Sequence, residues 1–301
     1  MQKLAIAERA SLVGHSVSLA FGLAGLLIVL PSPEIIAALP TIGQEAFGYS
    51  MSGGGVVYIV LGAIVMSLYA YQVLGTKRWL GFMVPAIALS LCSELLGTST
   101  GFPFGAYSYL NGLGYKIAGL VPFTIPLSWF YVGLACYVIA RSGLEQFKLP
   151  TWVQAVGSVF VGSVLLTAWD FVLDPAMSQA NYPFWQFQDV GELFGMPYRN
   201  ITGWLGTGMV FMTPAAFIWG NEKLNLRRSQ LVTPIAVYLI NFAFGAAITL
   251  AQLSQSFWVM MAISVVLGVV PAVLLWRKTP ISTVADLENS LKNTPQEPVT
   301  L

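Results

Sequence analysis

Charge is what this sequence has least of. Only 9% of its 301 residues are Asp, Glu, Lys or Arg, where a soluble domain carries about 25%. So few charges cannot cover a water-facing surface, so the solvent is mostly lipid and a soluble globular fold is excluded. The net charge of +1 leaves no electrostatic footprint for nucleic acid. There is one histidine, His15, and there are two cysteines, Cys92 and Cys136. That is too few for a His-rich iron or zinc centre. Both cysteines lie in apolar stretches, where a small buried side chain is the ordinary role. No G-x-x-x-x-G-K-[ST] loop, Rossmann fingerprint, haem ligand pair or flavin motif occurs. No metal and no cofactor are expected. A cleavable signal peptide is also missing: the first apolar run is long and has no small-residue cleavage site, so it reads as a retained helix.

What the sequence has is apolar runs. A helix crossing the hydrocarbon needs about 20 mostly apolar residues. Eight such runs occur, at about 10–31, 53–74, 79–97, 121–140, 152–173, 203–220, 232–251 and 256–276. The predicted fold is all-α, a polytopic transmembrane helical bundle over residues 1–278. Residues 279–301 are polar and turn-rich and read as a disordered cytoplasmic tail. Lys3, Arg9, Lys77, Arg78, Arg141, Lys148, Lys223, Arg227, Arg228, Arg277, Lys278 and Lys292 fall on one side of this layout, and only Lys116 and Arg199 on the other. Positive residues mark the cytoplasmic side, so both termini are expected there.

Two long connections face the opposite side, roughly 98–120 and 174–202. Both are rich in Phe, Tyr, Trp, Gly and Pro. Scattered interfacial aromatics are ordinary belt anchors. Two dense clusters beside carboxylates fit the mouth of a shaped cavity better. Glu94 ends the third run, and Asp170 and Asp174 end the fifth, in "TAWDFVLDPAM". Acids at membrane depth are costly and usually functional. Asp170 and Asp174 are four apart and share a helix face, and Pro175 is expected to stop their helix. Two carboxylates so close in an apolar setting cannot both ionise cheaply, so one is expected to keep its proton. There is a faint internal echo: Trp129 follows Glu94 by 35 residues, and Trp204 follows Asp170 by 34.

Blander roles compete. Asp170 and Asp174 could bond loop N–H groups or pair with Lys116 or Arg199, and Glu94 could do the same. Asp189 and Glu192 sit in the loop proper, where a solvated or salt-bridged role is ordinary. His15 is distant from the acids and reads as a packing or interfacial residue. "DFVLD" is D-x-x-x-D, but the Asp-rich sites that hold magnesium diphosphate need a second such motif and basic residues, and these are scarce on this side.

What remains is acid chemistry on an apolar molecule. A protonated acid can protonate a trisubstituted alkene at its less substituted carbon. Aromatic faces stabilise the tertiary cation, and water adds with a second carboxylate as base. Glu94, Asp170 and Asp174 could supply acid and base. Phe102, Phe104, Tyr107, Trp129 and Trp169 could form the walls.

"SELLGTSTGFPFGAYSY", with "DFVLDPAM", "FWQF" and "ELFGMPYRNITGW", resembles the integral-membrane carotenoid biosynthesis family of gamma-carotene 1'-hydroxylases and bisanhydrobacterioruberin hydratases. The resemblance covers roughly residues 55–270. It implies addition of water across the terminal C1=C2 bond of an acyclic carotenoid end group, giving a tertiary alcohol. A different protein would glycosylate the product to myxol-type glycosides. A gamma-carotene- or lycopene-like substrate, the surrounding lipid and other carotenoid-pathway enzymes are the implied partners. The implied location is a bacterial plasma membrane or thylakoid. On this reading Asp170 or Asp174 is the proton donor and Glu94 the base or cation stabiliser. Trp185, Trp204 and Asn200 join the substrate-binding set. Two alternatives stay open: a carotenoid end-group cyclase with the same protonation step, and a proton-coupled transporter. A transporter would want polar residues through both membrane halves, and the cytoplasmic halves look nearly purely apolar.

Overall fold

The computed structural model describes residues 2–281. Among these, eight helical segments are long and apolar enough to cross a membrane, and the chain is a multi-pass membrane protein. The helices are α1 (Gln2–Ala24), α2 (Pro33–Ala38), α3 (Thr41–Tyr69), α4 (Thr76–Thr100), α5 (Thr124–Leu144), α6 (Thr151–Ser178), α7 (Tyr198–Trp219), α8 (Val232–Gln252), α9 (Phe257–Ser264) and α10 (Val270–Lys278). Wide helical turns extend α1 over Gly25–Val29 and α3 over Ala70–Leu74, and a third at Val265–Val269 joins α9 to α10. Short α2 does not span, and α3 begins twelve residues before its apolar run. Large apolar side chains such as Phe21, Val84, Phe160, Phe217 and Trp258 face outward. In lipid that outward face needs no polar cover.

α5 and α6 are the most enclosed spans. They pack on each other, α4 packs on α7, and each hairpin, α4–α5 and α6–α7, packs within itself. The two hairpins meet again in their loops. Strand β1 (Tyr107–Tyr109) of the first loop pairs antiparallel with β4 (Trp185–Phe187) of the second, with Tyr109 opposite Trp185 and Tyr107 opposite Phe187. The first loop also holds its own small ladder, β2 (Lys116–Ile117) against β3 (Val121–Pro122). Gly101 ends α4 at φ 80°, and its N–H bonds the Gly97 carbonyl. A side chain is disfavoured in that left-handed conformation.

Three expectations need correction. Pro175 does not stop α6, which runs on to Ser178. Proline removes one N–H, but the last turn is satisfied by other means: Ser178 Oγ donates to the Asp174 carbonyl, and the Gln179 N–H to that of Pro175. The folded chain also continues past 279, because Thr279 is buried and the Arg228 N–H bonds the Pro280 carbonyl; the rest of the expected disordered tail, 282–301, lies outside the described residues. Finally, the helices away from the paired loops are not purely apolar. Buried Arg141 donates to Tyr137 Oη and to the Gly220 and Glu222 carbonyls, while Glu145 accepts from the Leu224 and Asn225 N–H groups. His15 is wholly buried; its Nδ1 contacts the Tyr58 carbonyl at 2.7 Å and its Nε2 contacts Asn241 Nδ2 at 2.9 Å. Tyr131 Oη donates to the same Asn241. His15 is thus part of a satisfied polar core, which simple packing does not describe.

Candidate active site

Glu94 sits on the inner face of α4, nearly two turns before its end. One carboxylate oxygen accepts the Trp129 Nε1–H of α5 at 2.8 Å. The other accepts the hydroxyls of Tyr109, at 2.8 Å, and Tyr107. Tyr107 and Tyr109 are two apart on one strand, so their side chains share a face, and β1 delivers both to one carboxylate. Burial, and after it the nearby Glu94, push both phenols well above their usual range. They remain hydrogen-bond donors at any physiological pH.

Asp170 and Asp174 stack one turn apart on α6. Asn200, in the first turn of α7, donates its side-chain amide to both, to Asp170 at 3.0 Å and to Asp174 by a shorter bond. Trp185 of β4 donates its indole N–H to the second oxygen of Asp174 at 2.6 Å. The other Asp170 oxygen, Oδ1, is buried without a hydrogen-bond partner. Among the described residues no lysine or arginine forms an ion pair with the three acids. Lys116 instead donates to the Tyr109 carbonyl, while Arg78 pairs with Glu222 and Arg141 with Glu145. Asp189 accepts the Ala106 N–H and so ties the two loops together.

The two acid clusters face one cavity of about 40 Å³, whose lining includes Glu94, Asp174, Asn200, Trp129, Trp185 and Trp204. A water needs about 10–15 Å³ of such space, so the cavity has room for about three. Its walls are aromatic. Trp129 and Trp204 stack with centroids 4.1 Å apart, and Tyr109 meets Trp185 edge-on at 6.0 Å.

The family profile described as carotenoid biosynthesis protein matches residues 54–271. That stretch is most of the chain and contains every residue of the cavity. The chain belongs to this family. A bisanhydrobacterioruberin hydratase from Haloarcula japonica is 31% identical over 196 residues, covering 63% of this chain and 61% of that relative. The chain therefore spans less than two thirds of that relative's length. No solved structure matches it.

In this carotenoid biosynthesis protein the expected residues converge, with three adjustments. Phe104, Tyr107, Trp129, Trp185, Trp204 and Asn200 line the cavity with Glu94 and Asp174. Phe102 does not: the turn after α4 sends it outward, 70% exposed. Trp169 is behind the wall, edge-on to Trp204 at 6.0 Å, its indole N–H buried and unpartnered. Asp170 sits one turn deeper than the lining. Asn200 and Trp185 serve first as donors to the acids. The structure adds Tyr109, Ile125, Ser128, Leu173 and Phe187 to the lining. Tyr109 was findable by its two-residue spacing from Tyr107, and Phe187 by the same spacing from Trp185; Leu173 carried no such signal.

Proposed function

We propose that this chain is a carotenoid hydratase, adding water across the terminal C1=C2 double bond of an acyclic end group. The observation that carries the reading is that Glu94 and Asp174, held by separate donor sets, face one aromatic-walled cavity with room for water. Asp170 and Asp174 share a proton, and Asp174 gives it to the less substituted alkene carbon. The π bond breaks, a C–H bond forms at C2, and C1 becomes a tertiary cation. The faces of Trp129 and Trp204 and the Glu94 carboxylate stabilise that cation. A cavity water adds its oxygen to C1 while Glu94 takes a water proton. Passage of that proton back to the aspartate pair through cavity water resets the site, with no net acid consumed. The ring of indole and phenol donors keeps each carboxyl oriented, which is most of what such a site must prepare in advance.

A cyclase would use the same first step but must exclude water. Carboxylates, Asn200 and Ser128 on the wall of a water-sized cavity favour the hydratase. By the distribution of basic residues the site opens toward the non-cytoplasmic side. Expression in a bacterium that accumulates lycopene or gamma-carotene tests the reading: pigment heavier by one water supports it, and pigment of unchanged mass but altered retention supports the cyclase.

A further inference from the structure

A cavity that holds a few waters cannot also hold a rigid conjugated chain, so the bulk of a carotenoid must lie elsewhere on the protein. Between α4 and α7 lies a lipid-facing groove of about 600 Å³, bordered by Ser93, Phe102, Pro103, Gly203, Gly206 and Thr207. Three border residues are chain neighbours of cavity residues, and Thr207 lies about one turn beyond Trp204 on α7. Ser93 precedes Glu94, Pro103 precedes Phe104, and Gly203 precedes Trp204. Groove and cavity therefore lie side by side, with Phe104 of the cavity packed against Gly203 of the groove.

The two aromatic rings are held differently. Phe104 is clamped: a Cβ added at Gly203 would come within 2.6 Å of its ring, and one at Gly97 within 2.8 Å. Neither glycine can gain a side chain without displacing it. Trp204 is half-buried, stacked on Trp129 and edge-on to Trp169. Gly206, two residues beyond Trp204, has nothing within 4 Å of an added Cβ, so no packing within the chain explains this glycine. In a helix it costs about 1 kcal/mol relative to alanine. Thr207, only 3% exposed, has a hydroxyl with no hydrogen-bond partner.

We propose that the α4–α7 groove seats the polyene chain of the substrate, and that its reacting end reaches Asp174 and Glu94 past Trp204, with Phe104 as the fixed jamb. This rests on the hydratase reading for its occupant. The test compares Gly206→Phe, whose Cβ enters open space on this groove, with Gly53→Phe, whose Cβ enters open space on a separate groove of about 660 Å³ between α1 and α3. Two quantities are read for each variant at equal membrane protein levels: product formed in a lycopene-producing cell, and lycopene retained by the purified protein. The expected result is that Gly206→Phe loses about tenfold or more of both, while Gly53→Phe keeps both. The proposal is overturned if Gly206→Phe keeps product within about twofold, or if Gly53→Phe is the variant that loses pigment. If the wild-type protein retains lycopene in a Gly206-dependent way yet forms no hydrated product, the hydratase reading falls and the groove stands.

Discussion

Asn200→Ala is the perturbation whose size the structure fixes best. The Asn200 amide is the one group that touches both aspartates, donating to Asp170 and to Asp174. Hydrogen bonds to charged groups contribute about 1.5–3 kcal/mol each, so the ceiling for losing two is about 3–6 kcal/mol. A water fits where the amide was and recovers part of this, leaving a net cost of about 2–3 kcal/mol. Trp185 still holds one Asp174 oxygen, so the carboxyl is loosened but stays in place. If that looseness falls on the proton-transfer step, about 2–3 kcal/mol corresponds to a rate loss of about 30- to 160-fold. The assay is hydrated product per unit of membrane protein, paired with thermal unfolding in detergent. Asn200→Asp, which swaps the donor for a third carboxyl, should be worse than the alanine variant in both readouts. Undiminished turnover and an unshifted Tm for Asn200→Ala would refute the idea that this amide organises the acid pair.

Four further outcomes follow from the same geometry. Asp174→Asn should insert normally and lose most activity, whereas full activity in both Asp174→Asn and Asp170→Asn would remove the proton-donor role. Glu94→Gln should also fold, because the amide oxygen can still accept from Trp129 and the two tyrosine hydroxyls can turn to accept from its NH₂; product should fall by about 100-fold or more, as for loss of a general base. Gly203→Ala pushes a methyl into Phe104 and the Pro103 carbonyl, so it should lower stability by about 1–3 kcal/mol, read as a lower Tm. Arg141→Met strands Glu145 beneath the α7–α8 connection and should cost about 3–5 kcal/mol. Because this cluster is remote from the cavity, product per folded molecule should not change.

Much of the fold is legible along the chain because lipid imposes a simple rule. Every span must satisfy its own backbone and show apolar side chains outward, so eight helices appear as eight runs. The acids are legible for the converse reason: at 9% charge, a carboxylate inside a span stands out. The loop architecture is not legible. β1 and β4 are three residues each, from loops separated by the whole of α5 and α6, and nothing local announces their pairing. That pairing is what turns Tyr109 and Trp185 inward onto different acids. The internal echo of the two spacings does not extend to the hydrogen bonds. Trp129 donates to Glu94, but Trp204 stacks on Trp129 and the donor to Asp174 is Trp185, so the similar spacings do not mark equivalent roles. The contacts of His15 with Tyr58 and Asn241, and of Arg141 with the Gly220 and Glu222 carbonyls, were not legible for a related reason, since those partners come from distant parts of the chain that sequence spacing cannot bring together.

The most direct test of the central claim is the mass of the pigment made when this chain is expressed in a lycopene-accumulating bacterium, with Glu94→Gln and Asp174→Asn expressed beside it at equal membrane levels. The account predicts a pigment heavier by one water, with an unshifted polyene spectrum, from the wild-type chain, and almost none from either variant. Unchanged pigment from a correctly inserted wild-type chain that binds lycopene, or the same hydrated product from both variants, would contradict it.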